Sequence, residues 1–315
     1  MFPFRRRKNP AERRRAFQRA AADWLRLPRG VQPDTVVLQA GQGRVTVETE
    51  DDTHNDVEKA QPSVTVLPPP GSGSESLSGV DPHLVPLLTP DAFEAEPYRV
   101  LAHLVGQMHT EANLRILALS SPSSGDGKTS TAINLAGILG QEPKIRVLLV
   151  EAELRRPSIA KYLGIRHTTG GLAGMVLEPT LALERVVQRC QPFNFNVLLA
   201  GHSSASPYDL LKLPRFGALL QEARQHYDYV IIDTPPLLPF ADCRLIEQWI
   251  DGLLVVVAAH KTPRKLLAEA LDIVDPAKLV GLVLNKDDHQ AARYDYAYRY
   301  YTQSSNGHRK SRHPF

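Results

Sequence analysis

The sequence predicts an α/β fold in which a mostly parallel sheet is flanked by helices. Short apolar runs rich in β-branched residues alternate with helical segments from about residue 86 onward. The runs are Ile116–Leu119, Val147–Val150, Val197–Ala200, Tyr229–Ile232, Leu253–Ala258 and Gly281–Leu284. Near-continuous apolar strands are typical of a parallel sheet that helices cover on both faces. Because such sheets bind ligands at the carboxyl ends of their strands, we expect the functional residues directly after these runs.

Composition divides the 315-residue chain into three parts. Residues 1–85 combine a basic segment with a linker rich in Pro, Gly and Ser, which buries too little apolar surface to offset the entropy of ordering it. Residues 86–290 form the predicted α/β domain, which begins with a helix over Glu96–Met108. Residues 291–315 form a polar tail. We therefore expect a disordered N-terminal region, one folded domain and a flexible tail rich in tyrosine.

The N-terminal segment is strongly basic. Residues 1–30 carry ten Lys and Arg residues against two acids, so the rest of the chain is mildly acidic although the net charge is +3. This asymmetry argues against a broad nucleic-acid-binding surface, and no nucleic-acid partner is predicted. Phe17, Trp24 and Leu25 recur at helical spacing among the arginines. Contact with an anionic membrane surface and a solvated helix or disordered arm are both compatible with this pattern.

Cysteine usage and hydropathy indicate the compartment. Cys190 and Cys243 are far apart and have no metal-ligand spacing, which favours reduced thiols. The longest purely apolar run, Leu253–Ala259, is much shorter than the roughly 20 residues of a membrane span. The N-terminal arginines are not followed by the apolar core of a secretory signal. We therefore expect a soluble, cytoplasmic protein.

A glycine-rich loop follows the first predicted strand. Residues 120–130 read Ser-Ser-Pro-Ser-Ser-Gly-Asp-Gly-Lys-Thr-Ser, and a helix over Ala132–Leu139 comes next. Such a loop between a strand and a helix cradles phosphate groups with backbone N–H groups and with the positive end of the helix dipole. In this pattern the lysine neutralises the β- and γ-phosphates and the threonine coordinates Mg²⁺. The candidate ATP-binding residues are Ser124, Gly125, Asp126, Gly127, Lys128, Thr129 and Ser130.

Acidic residues follow two further strands. Asp233, in Asp-Thr-Pro-Pro, comes directly after the run Tyr229–Ile232, which is the arrangement of a Walker B aspartate that holds Mg²⁺. An aspartate at this place also suits a turn or a helix cap. Glu151 and Glu153 follow the run Val147–Val150, and on their own they are equally compatible with solvated charges.

Together these segments closely resemble the bacterial tyrosine kinases, the autokinase family of polysaccharide co-polymerase systems within the wider ParA/MinD-type group of P-loop ATPases. Residues 121–129 match Ser-Pro-x-x-Gly-Glu-Gly-Lys-Ser/Thr, with Asp126 in place of Glu. Residues 151–157 match Asp-x-Asp-Leu-Arg-Arg-Pro with both aspartates replaced by glutamate, and residues 233–236 match Asp-Thr-Pro-Pro. The similarity runs from about residue 86 to residue 301.

The resemblance implies a P-loop NTPase fold and the transfer of the ATP γ-phosphoryl group to tyrosine, with ATP and Mg²⁺ as cofactors. It implies catalytic roles for Lys128, Glu151, Glu153 and Asp233. It also implies that Thr129, Glu151 and Asp233 hold Mg²⁺. In the family one acidic side chain orients or deprotonates the acceptor phenol, and Glu151 or Glu153 occupies that position here.

Five of the ten tyrosines lie within eight positions near the C-terminus. Alternating tyrosines suit an edge strand, but the polar sequence around them favours a flexible phosphate-acceptor cluster. In the family such a cluster enters the active site of a neighbouring subunit, which implies a homo-oligomer. The predicted autophosphorylation sites are Tyr294, Tyr296, Tyr298, Tyr300 and Tyr301.

The chain departs from the family pattern in two places. Glutamate at positions 151 and 153 moves each carboxylate outward by a methylene, and a misplacement of about 1 Å can cost roughly a hundredfold in rate. The family's assembly motif Glu-x-x-Arg-x-x-Arg keeps only Glu96 and Arg99, since Ala102 stands at the third position. These two residues are the predicted oligomer contacts.

The resemblance also implies a transmembrane polysaccharide co-polymerase or activator protein as partner, and recruitment to the inner face of the membrane. Two alternatives to an active autokinase remain open from the sequence. One is a nucleotide-binding scaffold of the same pathway that has lost most of its phosphotransfer. The other is a positioning ATPase of the ParA/MinD type.

Overall fold

The computed structural model describes residues 79–166 and 170–287. The basic N-terminal segment, nearly all of the predicted linker and the tyrosine cluster of residues 294–301 lie outside the described residues. The expectations placed on those segments therefore stay predictions.

Seven strands form the central sheet, and helices lie between them in the chain. The strands are β1 Ile116–Ser120, β2 Val147–Glu151, β3 Gln188–Cys190, β4 Phe195–Leu198, β5 Tyr229–Asp233, β6 Gly252–Ala258 and β7 Leu279–Asn285. The helices are α1 Val85–Leu88, α2 Glu96–Ala112, α3 Lys128–Leu139, α4 Ile159–Leu163, α5 Gly171–Leu177, α6 Leu183–Val186, α7 Pro207–Lys212, α8 Pro214–His226, α9 Asp242–Glu247 and α10 Arg264–Ile273.

The strand order is β3-β4-β2-β5-β1-β6-β7, and every pairing is parallel except that of β3 with β4. The predicted mostly parallel sheet is therefore confirmed. The short edge strand β3 was not predicted, because its sequence Gln-Arg-Cys lacks the apolar run of a central strand.

Alternation along each strand explains why the sheet is covered on both faces. In β1, Ile116 and Ala118 belong to one buried apolar cluster, whereas Leu117 and Leu119 belong to the other. Successive side chains of a strand point to opposite faces, so an all-apolar strand needs helices on both sides. Residues of α2 and α3 cover one face, and residues of α5, α8 and α10 cover the other.

Two boundaries differ from the sequence-based expectation. Strand β4 begins at Phe195 and ends at Leu198, two residues before the predicted end, because the amide of Ala200 turns away to bond with the Glu151 carboxylate. The packed domain also begins before residue 86. Leu84 is fully buried against the face covered by α2 and α3, so the end of the predicted linker contributes to the core.

Candidate nucleotide-binding site

The predicted site residues meet at one edge of the sheet. Strands β2, β5 and β1 are neighbours, and they end at Glu151, Asp233 and Ser120. Glu151 lies opposite Asp233 in the ladder, and Leu119 lies opposite Asp233 on the other side. The glycine-rich loop begins at this same edge, as expected for a ligand site at the carboxyl ends of parallel strands.

The loop leads directly into helix α3, which begins at Lys128. Gly125 and Gly127 adopt positive φ angles of 85° and 97°, a backbone conformation that glycine accepts without strain. A Cβ atom at Gly127 would lie 1.9 Å from Nδ2 of Asn285, so glycine is also required by space. The loop therefore has the close turn and the helix N-terminus that bind phosphate.

The side chain of Asp126 stabilises the phosphate loop through hydrogen bonds and does not face solvent. Its Oδ2 accepts hydrogen bonds from the amide and the hydroxyl of Ser123, at 3.1 and 3.2 Å. Its Oδ1 accepts a 2.8 Å bond from the hydroxyl of Thr262, which lies beyond the end of β6. The side chain is almost completely buried. Asp126 therefore fixes the shape of the loop, whereas Ser124 and Gly125 are exposed at its surface.

Asn285, the last residue of β7, and Lys286, which follows it, hold the loop from the other side. The Asn285 side chain donates a 2.9 Å hydrogen bond to the carbonyl of Asp126, and Nζ of Lys286 donates a 2.8 Å bond to the carbonyl of Gly125. Neither residue was predicted as part of the site. The available signal was the position of two polar residues at the carboxyl end of a buried strand.

Lys128, Thr129 and Asp233 converge beneath the loop. The Thr129 hydroxyl donates a 2.7 Å hydrogen bond to Oδ2 of Asp233. Nζ of Lys128 lies 3.7 Å from Oδ1 of Asp233 and 3.8 Å from Oε2 of Glu153. Ser130 donates to the carbonyl of Gly127 and so closes the first turn of α3. The arrangement places the Lys128 ammonium group between two carboxylates at the end of the phosphate loop, where α3 begins.

Asp233 carries an unsatisfied acceptor in a fully buried position. Its Oδ1 has no hydrogen-bond partner. Burial raises the pKa of the Asp233 carboxyl to about 6, although Lys128 and the Thr129 hydroxyl both act to lower it. Mg²⁺ prefers oxygen ligands. The free carboxylate oxygen of Asp233 and the neighbouring Thr129 hydroxyl are two such ligands. The residues present therefore fit a divalent cation at this place.

The two glutamates after β2 have different environments. Oε1 of Glu151 accepts hydrogen bonds from the amides of Ser158 and Ile159 at 2.6 and 2.7 Å, and Oε2 accepts one from Ala200 at 3.0 Å. Three backbone donors thus occupy its carboxylate. Glu151 thus binds the free amides at the N-terminus of α4. This geometry favours a structural role for Glu151 over the catalytic and metal-binding roles that the sequence predicted.

Glu153 is the glutamate beside the phosphate loop. One of its oxygens lies near Lys128, and the other accepts hydrogen bonds from the amides of Arg155 and Arg156 at 3.2 and 3.3 Å. Arg155 forms a two-pronged ion pair with the buried Asp242, with bonds of 3.0 and 3.1 Å. The loop after β2 is therefore tied to the first residue of α9, which fixes Glu153 next to Lys128.

Glu96 and Arg99, the predicted oligomer contacts, lie on the first turn of α2. Arg99 donates to the carboxylate of Glu96 and to the carbonyl of Pro90. Both side chains remain partly exposed. The pair is compatible with a contact surface, and within one chain it also stabilises the start of the helix. None of the described helices is long and apolar enough to cross a membrane.

The fold and the site together define a P-loop nucleotide-binding domain. Residues 114–262 match the family model of the AAA domain. The tyrosine-protein kinase YwqD of Bacillus subtilis (strain 168) is 29% identical over 205 residues, which cover 64% of this chain and 85% of YwqD. The succinoglycan biosynthesis transport protein ExoP of Rhizobium meliloti (strain 1021) is 29% identical over 197 residues, which cover 62% of this chain and only 25% of ExoP.

A solved structure agrees with these relatives. The kinase domain of the Escherichia coli tyrosine kinase ETK superposes with a TM-score of 0.62 at 24% sequence identity, covering 68% of this chain and 84% of that domain. The resemblance predicted from the motifs is confirmed, because the chain's homologues include bacterial tyrosine-protein kinases of this P-loop fold.

Proposed function

We propose that this protein is an ATP-dependent protein-tyrosine autokinase that regulates the synthesis and export of a capsular polysaccharide or exopolysaccharide. The observation that carries the proposal is the convergence of Lys128, Thr129, Glu153 and Asp233 at a phosphate loop, in a chain that aligns with most of a tyrosine kinase. A relative named for succinoglycan biosynthesis transport supports the assignment to polysaccharide export.

ATP is the proposed phosphoryl donor. The loop amides and the N-terminus of α3 bind the phosphates, and Lys128 moves from its carboxylate neighbours to the β- and γ-phosphates. Thr129 and Asp233 are the proposed ligands of Mg²⁺, which neutralises charge on the phosphates when it is bound. Asp126, Asn285 and Lys286 keep the loop in its binding conformation.

Glu153 is the proposed partner of the acceptor phenol. Its carboxylate lies within 3.8 Å of Nζ of Lys128, so it borders the region where the γ-phosphate would lie. A carboxylate held there by two amides can accept the hydrogen bond, and then the proton, of a tyrosine hydroxyl. Glu151 stabilises the structure around this arrangement. Its carboxylate accepts hydrogen bonds from backbone amides at the start of α4 and in the loop that follows β4.

The proposed acceptors are the five tyrosines between Tyr294 and Tyr301. The proposed partners are a second copy of the chain, whose tail supplies the acceptor, and a transmembrane co-polymerase or activator protein. Because ATP is the donor, the proposed location is the cytoplasmic face of the membrane. The basic segment of residues 1–30 is the proposed contact with anionic lipid.

A catalytically weak nucleotide-binding scaffold is the second candidate function. The structural observation in its favour is that Glu151 is consumed by three backbone hydrogen bonds, which leaves Glu153 as the one glutamate of the motif beside Lys128. Detection of phosphotyrosine on the purified protein with ATP, Mg²⁺ and a candidate membrane activator separates the two functions. The kinase gives a signal that Lys128→Met abolishes, whereas the scaffold binds ATP and gives none.

A further inference from the structure

We propose that Arg155 and Phe240 form a shelf that receives the acceptor tyrosines of the segment Tyr294–Tyr301 beside the phosphate loop. The inference rests on the proposed kinase function and assigns the part of the site that selects a phenol. We call these two side chains the acceptor shelf.

The geometry of the shelf is specific. The guanidinium carbon of Arg155 lies 4.2 Å from the centre of the Phe240 ring, which is a cation–π contact. Asp242, 1% exposed, holds the guanidinium in place with two hydrogen bonds. The Phe240 ring remains 37% exposed. A buried anchor therefore supports an arginine and an aromatic ring that both reach the surface.

The shelf is connected to the reacting groups by short steps. The amide of Arg155 donates to one oxygen of Glu153, and the other oxygen of Glu153 lies 3.8 Å from Nζ of Lys128. Arg155 thus has two roles. Its side chain forms part of the shelf, and its backbone amide binds Glu153, the proposed base. An aromatic ring bound at the shelf would therefore lie next to the loop that carries Glu153.

The position and length of the chain beyond the described residues support a tail tyrosine as the occupant, and the proposed donor of that tail is a second copy of the chain. Strand β7 ends at Asn285, which is bonded to the phosphate loop, so the tail starts at the edge of the sheet that holds the site. Tyr294 follows Asp287 by seven residues and Tyr301 by fourteen, which span at most about 25 and 50 Å. The shelf follows β2, four strand positions away, or about 19 Å.

The chemistry of the segment also fits. A tyrosine ring can stack on the Phe240 ring and on the planar guanidinium, whereas serine and threonine offer no ring to the shelf. After transfer, the phosphate on the tyrosine carries about two negative charges at neutral pH. Arg155 and the exposed Arg156 lie beside that charge, so the shelf also suits the phosphorylated product.

A two-component assay tests the shelf. The enzyme is the full chain with the five tail tyrosines changed to alanine, so that its own tail offers no ring to the shelf, and the acceptor is the full chain carrying Lys128→Met. We expect Phe240→Ala in the enzyme to raise the KM for the acceptor chain about five- to tenfold. The kcat and the Kd for ATP stay within about twofold. Phe240→Tyr restores the KM, and Leu177→Ala, at an apolar residue 53% exposed, leaves it unchanged.

The other outcomes are distinguishable. An unchanged KM for Phe240→Ala, or a loss of kcat alone, overturns the shelf and leaves the kinase assignment intact. If the parent enzyme, with ATP, Mg²⁺ and the candidate membrane activator, transfers no phosphate while it still binds ATP, the proposed function fails and the shelf fails with it. Thermal unfolding of each variant identifies any that is misfolded, and Phe240→Leu, which keeps the apolar bulk but not the ring, then replaces Phe240→Ala.

Discussion

The hydroxyl of Thr129 donates a 2.7 Å hydrogen bond to the buried carboxylate of Asp233, 104 positions further along the chain. The threonine of the phosphate loop and the aspartate that ends β5 are thus in contact before any ligand is added. Nζ of Lys128, the group proposed to bind phosphate, lies 3.7 Å from Oδ1 of Asp233, the group proposed to bind Mg²⁺. The positive and negative charges of the site therefore face each other. In the proposed function, nucleotide and Mg²⁺ would replace these contacts at a site that is already assembled.

Ionisation of Asp233 should make the folded protein less stable as the pH rises. Its pKa is near 3.8 in the unfolded chain and about 6 in the folded protein, so the folded state holds the proton more tightly. The stabilisation that this proton contributes is present in full below pH 4 and is lost as the pH rises through 6. The loss lowers the free energy of unfolding by at most about 3 kcal/mol. Urea unfolding of wild type and Asp233→Asn between pH 4 and 7.5 should show wild type losing stability relative to the variant. If the difference in unfolding free energy between wild type and Asp233→Asn stayed constant over this pH range, burial would not be raising the pKa of Asp233.

Glu151→Gln should destabilise the protein. The carboxylate accepts from three backbone amides, and the glutamine NH₂ group would face at least one of these donors. Leaving buried donors unsatisfied costs about 2–3 kcal/mol. Chemical denaturation measures the change, with Glu142→Gln, at an exposed glutamate, as the control. A variant as stable as wild type would show that the carboxylate is free for another role.

Glu153→Gln should impair phosphotransfer and leave the fold intact. The substitution keeps the shape of the side chain but removes the charge beside Lys128 and the base for the phenol. General base catalysis is worth about 10²–10⁴-fold, so we expect kcat to fall by at least about a hundredfold while the Kd for ATP changes little. Quantitative phosphotyrosine kinetics measure both. Equal loss in kcat for Glu151→Gln, at unchanged stability, would argue for the opposite assignment.

Asn285→Ala should weaken ATP binding. The substitution removes the donor to the carbonyl of Asp126 and loosens the turn at Gly127. The loss of one such hydrogen bond corresponds to a five- to tenfold increase in the Kd for ATP, which calorimetry measures. Asn194→Ala is the matched control, since that side chain donates to the carbonyl of Gly140 at the other end of α3. Equal effects of the two changes would contradict a role specific to the loop.

The sequence predicted the sheet and the phosphate loop because both are local patterns. Buried parallel strands are continuous apolar runs, so five of the six runs named above lie wholly in strands, and the sixth, Val197–Ala200, overlaps the end of β4. Lys128 and Thr129 meet Asp233 because the loop after β1 and the end of β5 are neighbours at one edge of the sheet. The edge strand β3 was missed because its three residues carry no apolar pattern.

The features of the site that the sequence could not distinguish depend on long-range contacts. Glu151 and Glu153 look equivalent in the sequence, yet backbone amides bond to both oxygens of Glu151, whereas one oxygen of Glu153 faces Lys128. Asn285 joins the site through a contact with residue 126, which no local spacing indicates. The pairing of Arg155 with Asp242 is likewise set by the meeting of two loops in the fold.

The central claim is tested most directly by mapping phosphotyrosine on the purified full chain after incubation with ATP, Mg²⁺ and the candidate membrane activator. Mass spectrometry should locate the modification between Tyr294 and Tyr301. The signal should be absent from Lys128→Met and from the chain with all five tail tyrosines changed to phenylalanine, although the latter still binds ATP. Tight ATP binding without any phosphotyrosine in the activated wild type would contradict the autokinase and leave the nucleotide-binding scaffold.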